Sequence, residues 1–97
     1  MILPIATIEL TIRQLLDRYH AEYAILFGSY ARGDATEDSD IDVVVFGGEQ
    51  FRKKEIFAFA EDLRALTGKD VNAFEICEVN IGTPLFEAVM REGKRIA

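Results

Sequence analysis

Asp40 and Asp42 carry the first candidate chemistry, because they stand one residue apart at the start of a valine-rich segment. If that segment is a strand, both carboxylates lie on one face, about 7 Å apart along the chain. Carboxylate oxygens at this spacing suit one or two Mg²⁺ ions, particularly when phosphate oxygens complete the metal shell. A bound metal would also offset the repulsion between the two negative charges.

Gly28 and Ser29 supply the second candidate, one loop before the aspartates. They follow the apolar run Tyr23–Phe27 and begin a turn that we expect to be helical. Glycine lets the backbone approach a ligand closely, and free N–H groups at the start of a helix favour an anion. The sequence therefore predicts a phosphate at Gly28 and Ser29, on the same side as the aspartates.

Two known motifs partly match this segment and fail at required positions. Gly28 and Gly33 have the spacing of a Walker P-loop, but Asp34 stands where that motif requires Lys. The carboxylate positions of an EF-hand loop are also matched, by Asp38, Asp40, Asp42 and Glu49. Val43 replaces the glycine of the sharp EF-hand turn, however, and the residues after it favour a strand. A solvated turn is disfavoured too, since an uncompensated Asp42 within a strand would be costly.

Hydrophobic spacing predicts the elements that position these residues. Helical stripes comprise Ile8, Ile12, Leu15, Leu16 and Tyr19, then Ile56, Phe59, Ala60, Leu63 and Leu66, and finally Leu85, Phe86, Val89 and Met90. Gly68 is expected to end the second helix, and Thr83 with Pro84 to start the last one. Strands are expected at residues 23–27, 40–46, 71–77 and 94–97. This order predicts an α/β (α+β) fold, with helices mainly on one side of a small mixed sheet.

The composition limits the classes of function open to these 97 residues. Residues 1–97 are expected to form a single small domain with one modest core. The net charge of −6 argues against general affinity for nucleic acid or for an anionic membrane. No membrane span or signal peptide is evident, and the single cysteine, Cys77, cannot form an internal disulfide or a cysteine-based zinc site. We therefore expect a cytoplasmic protein.

The string GSYARGDATEDSDIDVVV, from Gly28 to Val45, resembles the signature of the polymerase-β-like nucleotidyltransferases. Its full form is similar to the minimal nucleotidyltransferase branch, which comprises small prokaryotic proteins often encoded beside a HEPN-domain partner. The resemblance extends through EICEVN and the region from Leu85 to Ile96. It implies the polymerase-β-like nucleotidyltransferase fold.

The resemblance also implies a role for each residue of the motif. Gly28 would permit close approach of a nucleoside triphosphate, and Ser29 would donate hydrogen bonds to its β- and γ-phosphates. Asp40 and Asp42 would hold two Mg²⁺ ions and stabilise charge in the transition state. Arg32 is expected to contact phosphate or a partner, the alternative being an ion pair with a surface acid such as Asp34.

The implied reaction is attack by a hydroxyl on the α-phosphate of a nucleoside triphosphate, with release of pyrophosphate. Relatives of this kind act as antitoxins that transfer AMP from ATP to a tyrosine of a HEPN-domain RNase toxin. Others are nucleotide-binding subunits paired with a helical substrate-binding protein. A domain of 97 residues leaves no room for an acceptor-binding lobe. Both versions therefore predict a second protein chain, in a homo-oligomer or a hetero-oligomer.

One position departs from the pattern of the family. Its enzymes usually carry a third carboxylate on the third strand, and Asn72 aligns with it here. An asparagine oxygen can still ligate a metal, but it brings no charge and cannot act as a base at neutral pH. Asp70 shares the strand parity of Asn72 and is the alternative, whereas Glu75 has the opposite parity. A second hypothesis is therefore a nucleotide-binding module or antitoxin that acts by partner binding alone.

Overall fold

The computed structural model describes residues 2–76 and 79–97. The elements in chain order are α1 (Ile5–Arg18), β1 (Tyr23–Phe27), α2 (Ser29–Arg32), β2 (Ile41–Phe46), α3 (Glu55–Thr67), β3 (Val71–Glu75), α4 (Pro84–Glu92) and β4 (Lys94–Ile96). The predicted order of elements is confirmed. Three predicted strand boundaries shift: Asp40 immediately precedes β2, β3 ends at Glu75, and β4 ends one residue before Ala97. Cys77, the predicted end of the third strand, lies outside the described residues.

The strands form one mixed sheet in the order β3-β2-β1-β4. Strand β1 is antiparallel to both β2 and β4, whereas β2 and β3 are parallel. The register pairs Phe27 with Asp42 across β1 and β2, and Asp42 with Asn72 across β2 and β3. The end of β1 therefore meets the starts of β2 and β3 at one edge of the sheet.

Helices α1, α2 and α3 cover one face of the sheet, and α4 covers part of the other. The larger cluster of buried residues includes Ile8, Ile12, Leu15, Leu16, Leu26, Tyr30, Val43, Val45, Phe59 and Leu63. The smaller cluster contains Phe27 and Val44, which alternate along their strands with residues of the larger cluster, and Val89 of α4. The expectation of helices mainly on one side of a mixed sheet is thus confirmed.

The predicted ends of the two later helices are also present. Gly68, with φ 73°, ends α3. The Thr83 Oγ1 accepts a hydrogen bond from the Phe86 N–H at 3.2 Å, and Pro84 is the first residue of α4. Leu66 and Met90 belong to the apolar stripes predicted for α3 and α4, but both are exposed in the structure. Leu66 is 61% exposed and Met90 is 68% exposed.

Within residues 2–76 and 79–97, none of the helices is both long and apolar enough to cross a membrane.

Candidate functional site

Asp40, Asp42 and Asn72 come together where β2 and β3 begin. The Asn72 Nδ2 donates a hydrogen bond to Asp42 Oδ1 at 2.9 Å and a second one to Asp40 Oδ2 at 3.3 Å. The parallel register places Asn72 directly beside Asp42, and the alternation along the chain brings Asp40 to the same side. The predicted shared face of the two aspartates is therefore present, and one amide group bridges them.

The electrostatics of Asp42 disfavour its charged form. Partial burial raises the pKa of the Asp42 carboxyl, and the negative charge of Asp40 adds to that effect. The hydrogen bond from Asn72 acts in the opposite direction and lowers the pKa, but it does not cancel the rise. A cation beside this pair would relieve the same repulsion more fully than the amide does.

The donor set around the aspartates fits a Mg²⁺ ion only when the nucleotide contributes ligands. Among residues 2–76 and 79–97, no group of three or more His, Cys, Asp or Glu side chains is arranged to hold a metal. The Asn72 amino group lies where positive charge is favourable, and rotation of its amide by half a turn would present an oxygen there instead. Two carboxylates, one amide oxygen and phosphate oxygens would make the oxygen shell that Mg²⁺ prefers.

Gly28 lies against Asp42 at the end of β1. It has a φ of 78°, and a Cβ added there would collide with the Asp42 Oδ2 and stand 3.1 Å from its Cγ. Only glycine therefore fits between the turn and the carboxylate. Ser29 follows as the first residue of the short helix α2, directly after the glycine that contacts Asp42.

Arg32, at the end of α2, forms two ion pairs. Its Nε lies 3.1 Å from Asp34 Oδ2, and its Nη1 lies 2.9 Å from Glu92 Oε1. The pairing with Asp34 is the alternative that the sequence left open. Glu92 was not predicted as a site residue, although an acid in the last turn of a helix opposes the helix dipole and so signals a partner elsewhere.

Asp70 and Glu75 do not join Asn72 at the aspartates. The backbone carbonyl of Asp70 accepts the Ile41 N–H at 2.9 Å, while its side chain turns to Arg64 at 3.6 Å. Glu75 is 9% exposed and lies further along β3, with the parity opposite to that of Asn72. Of the two residues proposed to complete the site, the geometry favours Asn72 over Asp70.

The sequence profile of the family described as "Polymerase beta, Nucleotidyltransferase" matches residues 11–97. The protein adenylyltransferase MntA of Thermococcus cleftensis is 31% identical over 80 residues, which are 82% of this chain and 79% of that protein. A relative from Methanocaldococcus jannaschii is 67% identical over 27 residues. That match spans 28% of this chain and only 27% of the relative.

Solved structures share the fold. A chain in a crystal structure of a toxin–antitoxin with AMP-PNP has a TM-score of 0.77 and 26% identity, covering 92% of this chain and 72% of that one. A chain in the structure of a tri-AMPylated HEPN toxin of Shewanella oneidensis with an MNT antitoxin has a TM-score of 0.69. Its identity is 24%, with 93% of this chain and 69% of that one covered, so the likeness concerns the fold. From the profile match and the Thermococcus relative, the chain belongs to the polymerase beta nucleotidyltransferase family.

Proposed function

We propose that this protein is a Mg²⁺-dependent nucleotidyltransferase that transfers AMP from ATP to a hydroxyl group of a partner protein. The observation that carries the proposal is the junction of three strands, where Asp42 lies against Gly28 on one side and Asn72 on the other. Membership of the family supports the reaction type. The Thermococcus relative, which is named a protein adenylyltransferase, supports AMP as the transferred group and a protein as the acceptor.

Each residue of the site has a distinct part in this proposal. Asp40 and Asp42 would hold the Mg²⁺ ions, with the Asn72 amide oxygen as a neutral ligand. Bound Mg²⁺ would stabilise the charge that develops on the triphosphate. Ser29 would donate hydrogen bonds to the β- and γ-phosphates, and Gly28 would leave room for them beside Asp42.

In this proposal, deprotonation of the acceptor hydroxyl is the step that the site supports least. Asn72 cannot accept a proton at neutral pH, so a base that a carboxylate would supply is absent from this position. General base catalysis typically contributes about 10²–10⁴-fold to a rate. We therefore expect transfer that is slow compared with a site that carries a carboxylate there.

The partner in this proposal is a HEPN-domain toxin, which AMP transfer would silence. The motif from Gly28 to Val45 resembles the branch that is often encoded beside such proteins. The likeness to a toxin–antitoxin crystallised with AMP-PNP supports both a protein partner and an adenine nucleotide. We place residues 1–97 in this role as one domain that acts in the cytoplasm.

A second candidate function is neutralisation of the partner by binding alone. The observation that favours it is the pair of hydrogen bonds from Asn72 to the two aspartates, in which a neutral amide lies between the two carboxylates. In that case the nucleotide site would be retained without appreciable turnover.

The two candidates are separated by ATP that carries a label on the α-phosphate, incubated with Mg²⁺ and the partner. Transfer predicts a labelled partner, and the Asp40→Ala, Asp42→Ala double variant should abolish both the label and the protection of cells. Asp38→Ala, which removes an exposed acid from the preceding loop, is the matched control and should retain both. Absence of label on the partner, under conditions where the wild-type chain binds Mg²⁺ and ATP, would refute the hypothesis of enzymatic transfer. Protection by the double variant would favour neutralisation through contact.

A further inference from the structure

Glu92 connects the last turn of α4 to the glycine turn of the site. Its Oε2 accepts a hydrogen bond from the Gly28 N–H at 3.0 Å, and its Oε1 accepts one from the Arg32 Nη1 at 2.9 Å. The side chain is only 8% exposed. Each oxygen of this nearly buried carboxylate thus accepts a hydrogen bond from the segment that begins at Gly28, and the Arg91 Nη2 lies 3.6 Å from Oε1.

The two hydrogen bonds stabilise Glu92 at a position that is otherwise unfavourable for a carboxylate. A carboxylate at the carboxyl end of a helix opposes the helix dipole, and its burial carries a further cost. Burial acts to raise the pKa of the Glu92 carboxyl, but the hydrogen bonds from Arg32 and Gly28, together with the positive charges of Arg32 and Arg91, lower the pKa below its usual range. Glu92 is therefore a fixed negative charge at neutral pH.

Gly28 is held from two sides. The Asp42 carboxylate fills the space in which a Cβ of residue 28 would stand, and the Glu92 carboxylate accepts a hydrogen bond from the Gly28 N–H. Helix α4 is itself fixed on the sheet, because Val89 is buried against Phe27 and Val44. The contact thus transmits the position of α4 to the turn between β1 and α2.

We propose that Glu92 is a positioning residue of the nucleotide site, which holds the Gly28 N–H and the Arg32 guanidinium so that Ser29 faces Asp40 and Asp42. Since Glu92 uses the Gly28 N–H, the phosphates must take other donors of this turn, of which Ser29 is the first. Arg32 then serves to hold Glu92 rather than to bind phosphate. The effect on nucleotide rests on the proposed function, whereas the contact itself does not.

The contact is tested first without nucleotide, on the full chain labelled with ¹⁵N. The Gly28 amide proton should move upfield and exchange faster in Glu92→Gln and Glu92→Ala, because each variant removes the charged acceptor. Glu87→Gln, an exposed position on the same helix, is the matched control and should leave that signal unchanged. An unchanged Gly28 signal in a folded Glu92 variant would overturn the inference. Thermal melting confirms folding, and if Glu92→Ala does not fold, Glu92→Gln carries the test.

The effect on the site is tested by titration of the same variants with Mg²⁺ and ATP. Loss of a charge-assisted contact predicts about tenfold weaker binding for Glu92→Ala, with a smaller loss for Glu92→Gln, which keeps one carbonyl acceptor. Glu87→Gln should bind as the wild type does. Tighter binding by Glu92→Ala would instead identify Glu92 as an anion that competes with phosphate, and it would overturn the positioning role, as would unchanged binding. If the wild-type chain binds no ATP, the proposed function fails, while the Gly28 signal still decides whether Glu92 holds the turn.

Discussion

The Asp42 carboxylate fills the space in which any side chain at Gly28 would have to stand. Gly28 directly follows β1, and Asp42 lies near the start of β2. This contact therefore fixes the residue predicted to bind phosphate against a residue predicted to bind metal. The relationship depends on the antiparallel register that pairs Phe27 with Asp42. The spacing between the two halves of the motif is therefore set by the sheet rather than by the loop between them.

Gly28→Ala should abolish nucleotide binding, whereas Gly33→Ala should not. Both glycines have positive φ, 78° and 86°, so each substitution should cost about 1–3 kcal/mol of backbone strain. Only at Gly28 would the added methyl group displace Asp42, since a Cβ at Gly33 meets nothing within 4 Å. Chemical denaturation and ATP titration of both variants measure the two effects separately. Equal loss of ATP binding in both variants would contradict this account of Gly28.

Asn72→Asp should strengthen Mg²⁺ binding and raise the rate of transfer. The substitution supplies a third carboxylate, but without metal it replaces two favourable hydrogen bonds by repulsion. We expect a loss of about 1.5–3 kcal/mol in a chelator, recovered as Mg²⁺ is added. Melting curves across a Mg²⁺ series measure this, with Asn80→Asp, an exposed asparagine in the turn before α4, as control. Metal affinity and transfer that both remain at the wild-type level would show that Asn72 does not occupy the third metal position.

The contribution of Glu92 to stability should be lost in acid. Because the pKa of Glu92 is lowered in the folded chain, its contribution is fully present above the ordinary glutamate pKa and declines as pH falls through the folded value. Glu92→Gln should therefore be less stable than the wild type at neutral pH, and the difference should shrink at low pH. Denaturation at a series of pH values measures it. A difference that grows in acid would have the wrong sign.

Tyr19→Phe should destabilise the chain without affecting the nucleotide site. The Tyr19 hydroxyl donates to Asp62 and so links α1 to α3, while its ring packs against Phe51 and Phe59. Phenylalanine keeps the ring contacts, so the loss should be that of one hydrogen bond to a charged group, about 1.5–3 kcal/mol.

Tyr30→Phe is the matched control for that variant. The Tyr30 hydroxyl is buried and has no hydrogen-bond partner in the part of the chain that the structure describes. Its removal should be neutral or stabilising, because a buried hydroxyl without a partner costs free energy. Urea denaturation measures the free energy of unfolding of both variants. A larger loss of stability for Tyr30→Phe than for Tyr19→Phe would contradict the hydrogen bonding assigned to the two hydroxyl groups.

The placement of Asp40 and Asp42 side by side could largely be predicted from the sequence. Alternation along a strand places Asp40 and Asp42 on one face, and the glycine before Ser29 marks the end of β1. The parity of Asn72 brings it to the same face once β3 lies parallel to β2. Short-range patterns therefore predict the centre of the site.

The contact from Glu92 could not be predicted in this way. It joins residues 64 positions apart, and it depends on α4 packing on the face opposite to the other helices. Helical spacing shows which side of α4 is apolar but not which surface covers it. The same limit explains Met90, which belongs to the apolar stripe and yet remains exposed.

The most direct test of the central claim is the intact mass of the partner protein. The chain is purified together with the product of its neighbouring gene, and the mass of that product is measured with and without ATP and Mg²⁺. Nucleotidyl transfer by Asp40 and Asp42 predicts an increase by one or more AMP units that depends on both additions and disappears in the double alanine variant. A partner mass that stays unchanged, although the wild-type chain binds ATP and Mg²⁺, would contradict it.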